Sequence, residues 1–167
     1  MTRTLIPAPL TQAAFARFGD VIQAAGAARL INEGHAERFH DLASLDLSAD
    51  GGRAIVSIFR STPPSFPLAI KTMENHPLSS QAFVPLSGRA FLVVVAPAGP
   101  FDARALAAFV ASGGQGVNFH KGVWHHFNLA LGAPSDFLVI DREGPGRNLE
   151  EITLSETIML AAPELKA

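Results

Sequence analysis

The stretch Gly116-Val-Asn-Phe-His-Lys-Gly-Val-Trp-His-His-Phe127 places three of the chain's six histidines beside a glycine bend, inside an otherwise apolar and aromatic run. An imidazole titrates close to neutrality, so these rings are suited to giving or taking a proton. His120 and Lys121 stand at the bend before Gly122, at the expected mouth of a pocket. Val117, Phe119, Val123, Trp124 and Phe127 have the β-branched and aromatic character of buried strands, which gives strand, tight turn, strand. Alternation from Gly122 directs His125 and Phe127 to one face and Trp124 and His126 to the other, so the adjacent histidines serve different roles. One of them faces inward. Trp124 is expected in the core, and His126 is expected to pack or to hydrogen bond at an interface.

Short elements must position these groups. Thr11 before Gln-Ala-Ala-Phe-Ala-Arg-Phe, with Gly19 behind, predicts one short helix with Thr11 as N-cap and Phe15 and Phe18 buried. A first strand is expected over Asp20 to Gln23, and strand-like pieces around Leu30 and from Glu37 to Leu42 flank Gly34. Asp50-Gly51-Gly52 reads as a hairpin leading into a strand from Arg53 to Arg60. Pro63, Pro64 and Pro67 make the next segment an extended connection. Further strands are predicted from Ile70 to His76, Gln81 to Leu86, Arg89 to Ala96 and Asp136 to Asp141. A last strand is expected around Glu151 to Leu154, ahead of a surface tail, while the Ala-rich segment 105–111 fits either a helical turn or a strand. About ten short strands punctuated by Gly and Pro indicate an all-β sandwich or barrel.

Composition narrows the partners. A 167-residue chain, 48% hydrophobic and 17% charged with net charge −2, is one globular domain without the basic surplus of a nucleic-acid binder. The absence of cysteine removes disulfides and thiolate chemistry and is compatible with a reducing compartment. Pro7 and Pro9 interrupt any signal peptide, and the longest apolar run, Phe91 to Ala98, is too short to span a bilayer, so a cytoplasmic protein free of the membrane is expected. The apolar surplus hints at a subunit interface.

Two segments resemble the paired motifs of the cupin jelly-roll. One is Glu74-x-His76, four residues, Gln81, six residues, Gly88; the other is Gly122, two residues, His125. In cupins two His, a Glu and a later His point into a small barrel and usually hold a metal; here Glu74 stands where the first His is expected and Gln81 where the Glu is. Longer blocks are more specific. Glu37-Arg-Phe-His-Asp-Leu42, His76-Pro-Leu-x-x-Gln-Ala-Phe-Val-Pro85, Gln115-Gly-Val-Asn-Phe-His120, Val123-Trp-His-His126 and Asp136-Phe-Leu-x-Ile-Asp-Arg142 together look like the ureidoglycolate lyase family, called ureidoglycolate hydrolase in older usage. That resemblance implies an all-β, cupin-type jelly-roll barrel with one short N-terminal helix. Residues 1–167 would form a single domain, with 1–29 as helix and arm and 30–160 as barrel. It further implies a homodimer that cleaves (S)-ureidoglycolate to glyoxylate and urea in allantoin and purine breakdown, associated with nickel or another divalent metal.

Such a reaction needs a group to take the hydroxyl proton, a group to protonate the departing urea nitrogen, and a cation for the carboxylate. His76, His125 and Glu74 offer a ligand set suited to nickel, zinc, iron or manganese. Gln81 offers an amide as a weak ligand or as a hydrogen-bond partner for the urea. His120 is the preferred proton carrier, against the plainer reading of an exposed turn residue. Arg60, ahead of Arg38, Lys121 and Arg142, is favoured to hold the carboxylate, because a guanidinium engages one with two parallel hydrogen bonds. Two alternatives stand beside the lyase: a related amidohydrolase that releases ammonia, and a non-catalytic cupin that binds small carboxylates.

Overall fold

A computed structural model describes residues 3–164. Among them the chain forms β1 (Arg3–Leu5), β2 (Ala8–Pro9), α1 (Gln12–Phe15), β3 (Gly19–Gln23), β4 (Arg29–Ile31), β5 (Ala36–Arg38), β6 (Arg53–Ser61), β7 (Leu68–Asn75) and β8 (Gln81–Pro85). It continues through β9 (Phe91–Ala96), β10 (Ala107–Ala111), β11 (Gln115–Phe119), β12 (Trp124–His125), β13 (Leu129–Ala130), β14 (Ser135–Glu143) and β15 (Glu150–Leu160). The strands make an eight-stranded sheet in the order β1-β15-β7-β12-β9-β10-β2, with β13 also on β9, and a five-stranded sheet in the order β3-β11-β8-β14-β6. Strands β4 and β5 pair only with each other. The segment before residue 30 is woven into both large sheets through β1, β2 and β3.

Two apolar cores explain the sequence pattern. Phe91, Val93 and Val95 of β9 join Phe15, Phe18, Phe83, Phe119 and Phe137 in one cluster. Leu92, Val94 and Ala96, pointing the other way, join Met73, Trp124, Ile158 and Leu160 in the second. Because both faces of β9 are buried, its sequence is a continuous apolar run rather than an alternating one. Arg3 on β1 donates to the carbonyls of Ala103 and Leu106, drawing the first strand of the large sheet toward β10 and curling that sheet around the second core. The result is an all-β, cupin-like jelly roll.

The N-terminal helix starts as its sequence predicts, with Thr11 Oγ1 accepting from Ala14 N at 3.2 Å and Phe15 and Phe18 fully buried, but it is a single turn that ends at Phe15, and Gly19 opens β3 rather than stopping the helix. Immediately after it the chain approaches β11 so closely that a Cβ on Gly19 would lie 1.8 Å from the Asn118 carbonyl oxygen; only glycine fits there.

Three expectations need correction and one open choice is settled. Asp50-Gly51 sits in a 3-10 turn over Ala49–Gly51 rather than a hairpin, because no strand precedes it; the turn chemistry is right, with positive φ at both residues. Strand β5 stops at Arg38, short of Leu42, and Asp41 takes a left-handed conformation. The Ala-rich segment is a strand, β10, fixed by pairing with β9. The tail is no surface appendage: β15 runs to Leu160 between β1 and β7, with a register shift between Thr153 and Ile158. Its charged residues concealed it, since Glu150, Glu151 and Glu156 are exposed while Ile158 and Leu160 are buried.

Candidate functional site

Strands β11 and β12 do not pair with each other. The turn at His120 to Gly122, with φ of 74° at Gly122, carries the chain out of the five-stranded sheet and into the eight-stranded one. That crossing sets His125 directly opposite Glu74 on β7. His76 follows β7, and Gln81 opens β8 in the facing sheet, so the polar set is drawn from both sheets. One nitrogen or oxygen atom from each of Glu74, His76 and His125 falls within a 4.8 Å group. The His76 and His125 ring centres are 5.2 Å apart.

The two imidazoles live in different environments. His76 is half-buried and lines a cleft of about 480 Å³ whose walls also carry Asp141, Arg142, Arg147, Asn148 and Glu151. Its Nδ1 donates to the Asn148 carbonyl at 2.7 Å, and its Nε2 lies 3.2 Å from Gln81 Oε1. Fixing Nδ1 in this way leaves Nε2 as the reactive nitrogen. Gln81 Nε2 in turn donates to Asp141 Oδ2 at 3.4 Å.

His125 lies behind His76, 1% exposed, stacked on Phe119 at 4.4 Å with the planes 3° apart. Its Nδ1 donates to the His126 carbonyl at 3.3 Å and is 3.7 Å from Glu74 Oε1. Burial, followed by the neighbouring His76, pulls its pKa down to about 3. The ring is therefore neutral at physiological pH: it can ligate or accept, and it cannot serve as a proton donor. Burial also raises the pKa of Glu74, with His76 opposing and Glu151 adding to the rise.

A divalent metal fits these residues. His125 Nε2 is buried with no hydrogen-bond partner, a costly state for a lone pair unless a cation or a donor meets it. Two imidazoles and a carboxylate form a mixed nitrogen and oxygen donor set suited to first-row metals.

The remaining candidates are not brought into this cluster. His120 Nε2 pairs with Asp20 Oδ2 at 3.1 Å, and Lys121 Nζ with Asp46 Oδ2 at 2.7 Å; neither side chain lines the cleft. Burial pushes the Asp20 pKa up, but hydrogen bonds from Asn118, Ser44 and His120 outweigh it and leave the carboxyl below its ordinary value. Arg60 holds Asp136 through two hydrogen bonds of 2.7 and 2.8 Å. Asp136 is five residues along β14 from Asp141, roughly 17 Å at the usual strand rise. Arg142 is buried, bonded to the Ala49 and Pro145 carbonyls. His126, expected on the Trp124 face, is buried instead beside Phe83, Phe91 and Phe119, because regular strand geometry ends at His125.

Sequence reading missed Asp141, Asn148, Arg147 and Glu151 as parts of the site. Asp141 ends a predicted strand and so carried a weak signal. Nothing in the spacing marks Asn148, whose value lies in a contact with a residue far away in the chain.

The pKa of His125 also makes a statement about stability. The folded value is depressed from 6.5 to about 3, so its contribution is fully present above pH 6.5 and is lost as pH falls toward 3. For metal-free protein the loss between pH 6.5 and 5 is on the order of 1.5 kcal/mol. Thermal melts over that range are expected to show a shallower acid decline in His125→Gln than in wild type. Equal slopes would contradict a buried neutral ring.

The model of the ureidoglycolate lyase family matches residues 2–161. A ureidoglycolate lyase of Burkholderia mallei is 54% identical over 99% of this chain and 98% of its own length. One of Rhizobium etli is 50% identical over 93% of this chain and 94% of its own. One of Pseudomonas putida is 48% identical over 95% and 96% respectively. A match at this level along nearly the entire length, on a jelly roll whose cluster lies where the two motifs predict, has one reading: the chain belongs to the ureidoglycolate lyase family.

Proposed function

We propose that the protein cleaves ureidoglycolate to glyoxylate and urea by general acid/base elimination, in the allantoin branch of purine breakdown. The observation that carries this reading is an imidazole on the wall of a cleft, held at Nδ1 by Asn148 and meeting Gln81 at Nε2, inside a chain similar throughout to named ureidoglycolate lyases. In the substrate one carbon carries both a hydroxyl and a urea nitrogen. Loss of the hydroxyl proton forms the C=O bond, the C–N bond breaks, and the urea nitrogen takes up a proton; no water is consumed. We assign both transfers to His76. With Nδ1 held by Asn148, Nε2 takes the hydroxyl proton and returns it to the departing nitrogen. Gln81, beside that nitrogen and itself bonded to Asp141, offers the amide that hydrogen bonds the urea group. We assign the shuttle to His76 rather than His120, whose ring is engaged by Asp20. A divalent ion, nickel by family likeness, would be held by Glu74, His76 and His125 and would supply Lewis acidity to the hydroxyl; with His76 Nε2 then a ligand, Asp141 on the same wall would be left to take the proton.

We place the reaction in the cytoplasm, a location supported by the cysteine-free composition; no described helix is long and apolar enough to cross a membrane. We also propose a homodimer. Strand β6 is a sheet edge whose Val56 and Ile58 are 66% and 54% exposed, turned away from the core with their β14 partners Ile140 and Leu138. This apolar strip supports pairing with a second copy. Light scattering is expected to give twice the 17.7 kDa chain mass, and a monomer at micromolar concentration would sink the dimer.

Product analysis tests the function. Wild-type protein is expected to release glyoxylate and urea in equal amounts, and His76→Gln to lose about 100-fold or more in kcat while keeping a wild-type circular-dichroism spectrum. Ammonia in place of urea would point to an amidohydrolase. Metal-free protein is expected to turn over through His76 Nε2; loss of activity on chelation with recovery in nickel would make His76 a ligand and move the proton to another group.

A further inference from the structure

We infer that Arg147 holds the carboxylate of the substrate; the inference rests on the lyase reading of the same cleft. The starting point is an electrostatic problem. Asp141 and Glu151 line the cleft and Glu74 is grouped with His76, so an entering carboxylate meets like charge unless a cation stands beside them.

The cations favoured from sequence do not meet that need. Arg60 is bound to Asp136 and Lys121 to Asp46, both outside the cleft wall. Arg142 contributes to the wall, but its guanidinium is committed to two backbone carbonyls. Arg147 is the other cation on that wall. It donates Nε–H to the Leu149 carbonyl at 3.1 Å, and its two terminal nitrogens have no partner among the described residues. A planar guanidinium with a free edge is the group best shaped to grip a carboxylate with two hydrogen bonds.

Position strengthens the assignment. Arg147 adjoins Asn148, which binds the turn after β7 three times: its carbonyl accepts from His76 Nδ1, its Oδ1 from Leu78 N at 2.8 Å, and its Nδ2 donates to Ser79 Oγ at 2.9 Å. On the other side Gly146 has φ of 87°, and a Cβ there would come within 2.7 Å of Leu78 Cδ1. Glycine thus lets the loop lie flat on the turn that carries His76. The proton carrier and the carboxylate anchor are mounted on one tied pair of loops, so their spacing is set before substrate arrives.

The test compares wild type, Arg147→Gln and Arg147→Lys by steady-state kinetics, glyoxylate inhibition, and calorimetric titration with glyoxylate and with urea. Arg147→Gln is expected to raise KM and the glyoxylate inhibition constant together by roughly 10- to 100-fold, the scale of a charge-assisted hydrogen bond. Its kcat should stay within about fivefold, its urea affinity and melting temperature should not change, and Arg147→Lys should recover part of the loss. Unchanged glyoxylate affinity in Arg147→Gln overturns the assignment. If wild type releases no urea and glyoxylate, the lyase reading fails on that measurement alone, and the glyoxylate titration still decides whether Arg147 binds the carboxylate.

Discussion

One hydrogen bond organises the candidate site: His76 Nδ1 to the carbonyl of Asn148, 2.7 Å across 72 residues of chain. It fixes the tautomer of the imidazole, turns Nε2 toward Gln81, and fastens the loop before β15 to the turn after β7. The arrangement is local in space and remote in sequence. Pairing of β15 with β7 makes the contact possible, because Glu150 lies opposite Asn75 and so brings residue 148 beside residue 76.

The second constraint is the exchange of sheets at Gly122. A hairpin there would have kept the histidine strand in the five-stranded sheet. By crossing over, the chain sets His125 opposite Glu74 and leaves Gln81 and Asp141 facing them from the other sheet. Burial then assigns the work. The His125 ring, packed against Phe119, is held neutral and serves as a fixed lone pair, while the half-buried His76 keeps access to the cleft. Two chemically identical side chains about 5 Å apart thereby sit in different environments, set by burial and by their hydrogen-bond partners.

Much of this was legible in the sequence. Thr11 and the two phenylalanines announced the helix, and the apolar run at Phe91 to Ala96 announced a strand buried on both faces. The cupin-like spacing named Glu74, His76, Gln81 and His125, and the longer blocks named the family. What could not be read depended on pairing across distance. The amphipathic β15 resembles a charged tail until its partners β1 and β7 are known. Arg60 looked free because the cross-strand neighbour that occupies it, Asp136, is 76 residues away. His120 and Lys121 look catalytic in a window of twelve residues, and only the fold supplies Asp20 and Asp46 to engage them. His126 was placed by an alternation that the two-residue strand β12 is too short to sustain.

The central claim is that substrate chemistry takes place at His76 Nε2, in the cleft between the two sheets. A crystal structure of the protein with bound glyoxylate addresses it most directly. The account places the aldehyde oxygen of the product within hydrogen-bond reach of His76 Nε2, on the side of the ring away from Asn148. Glyoxylate bound instead at His120 and Lys121, with the His76 cleft holding only water, would contradict it.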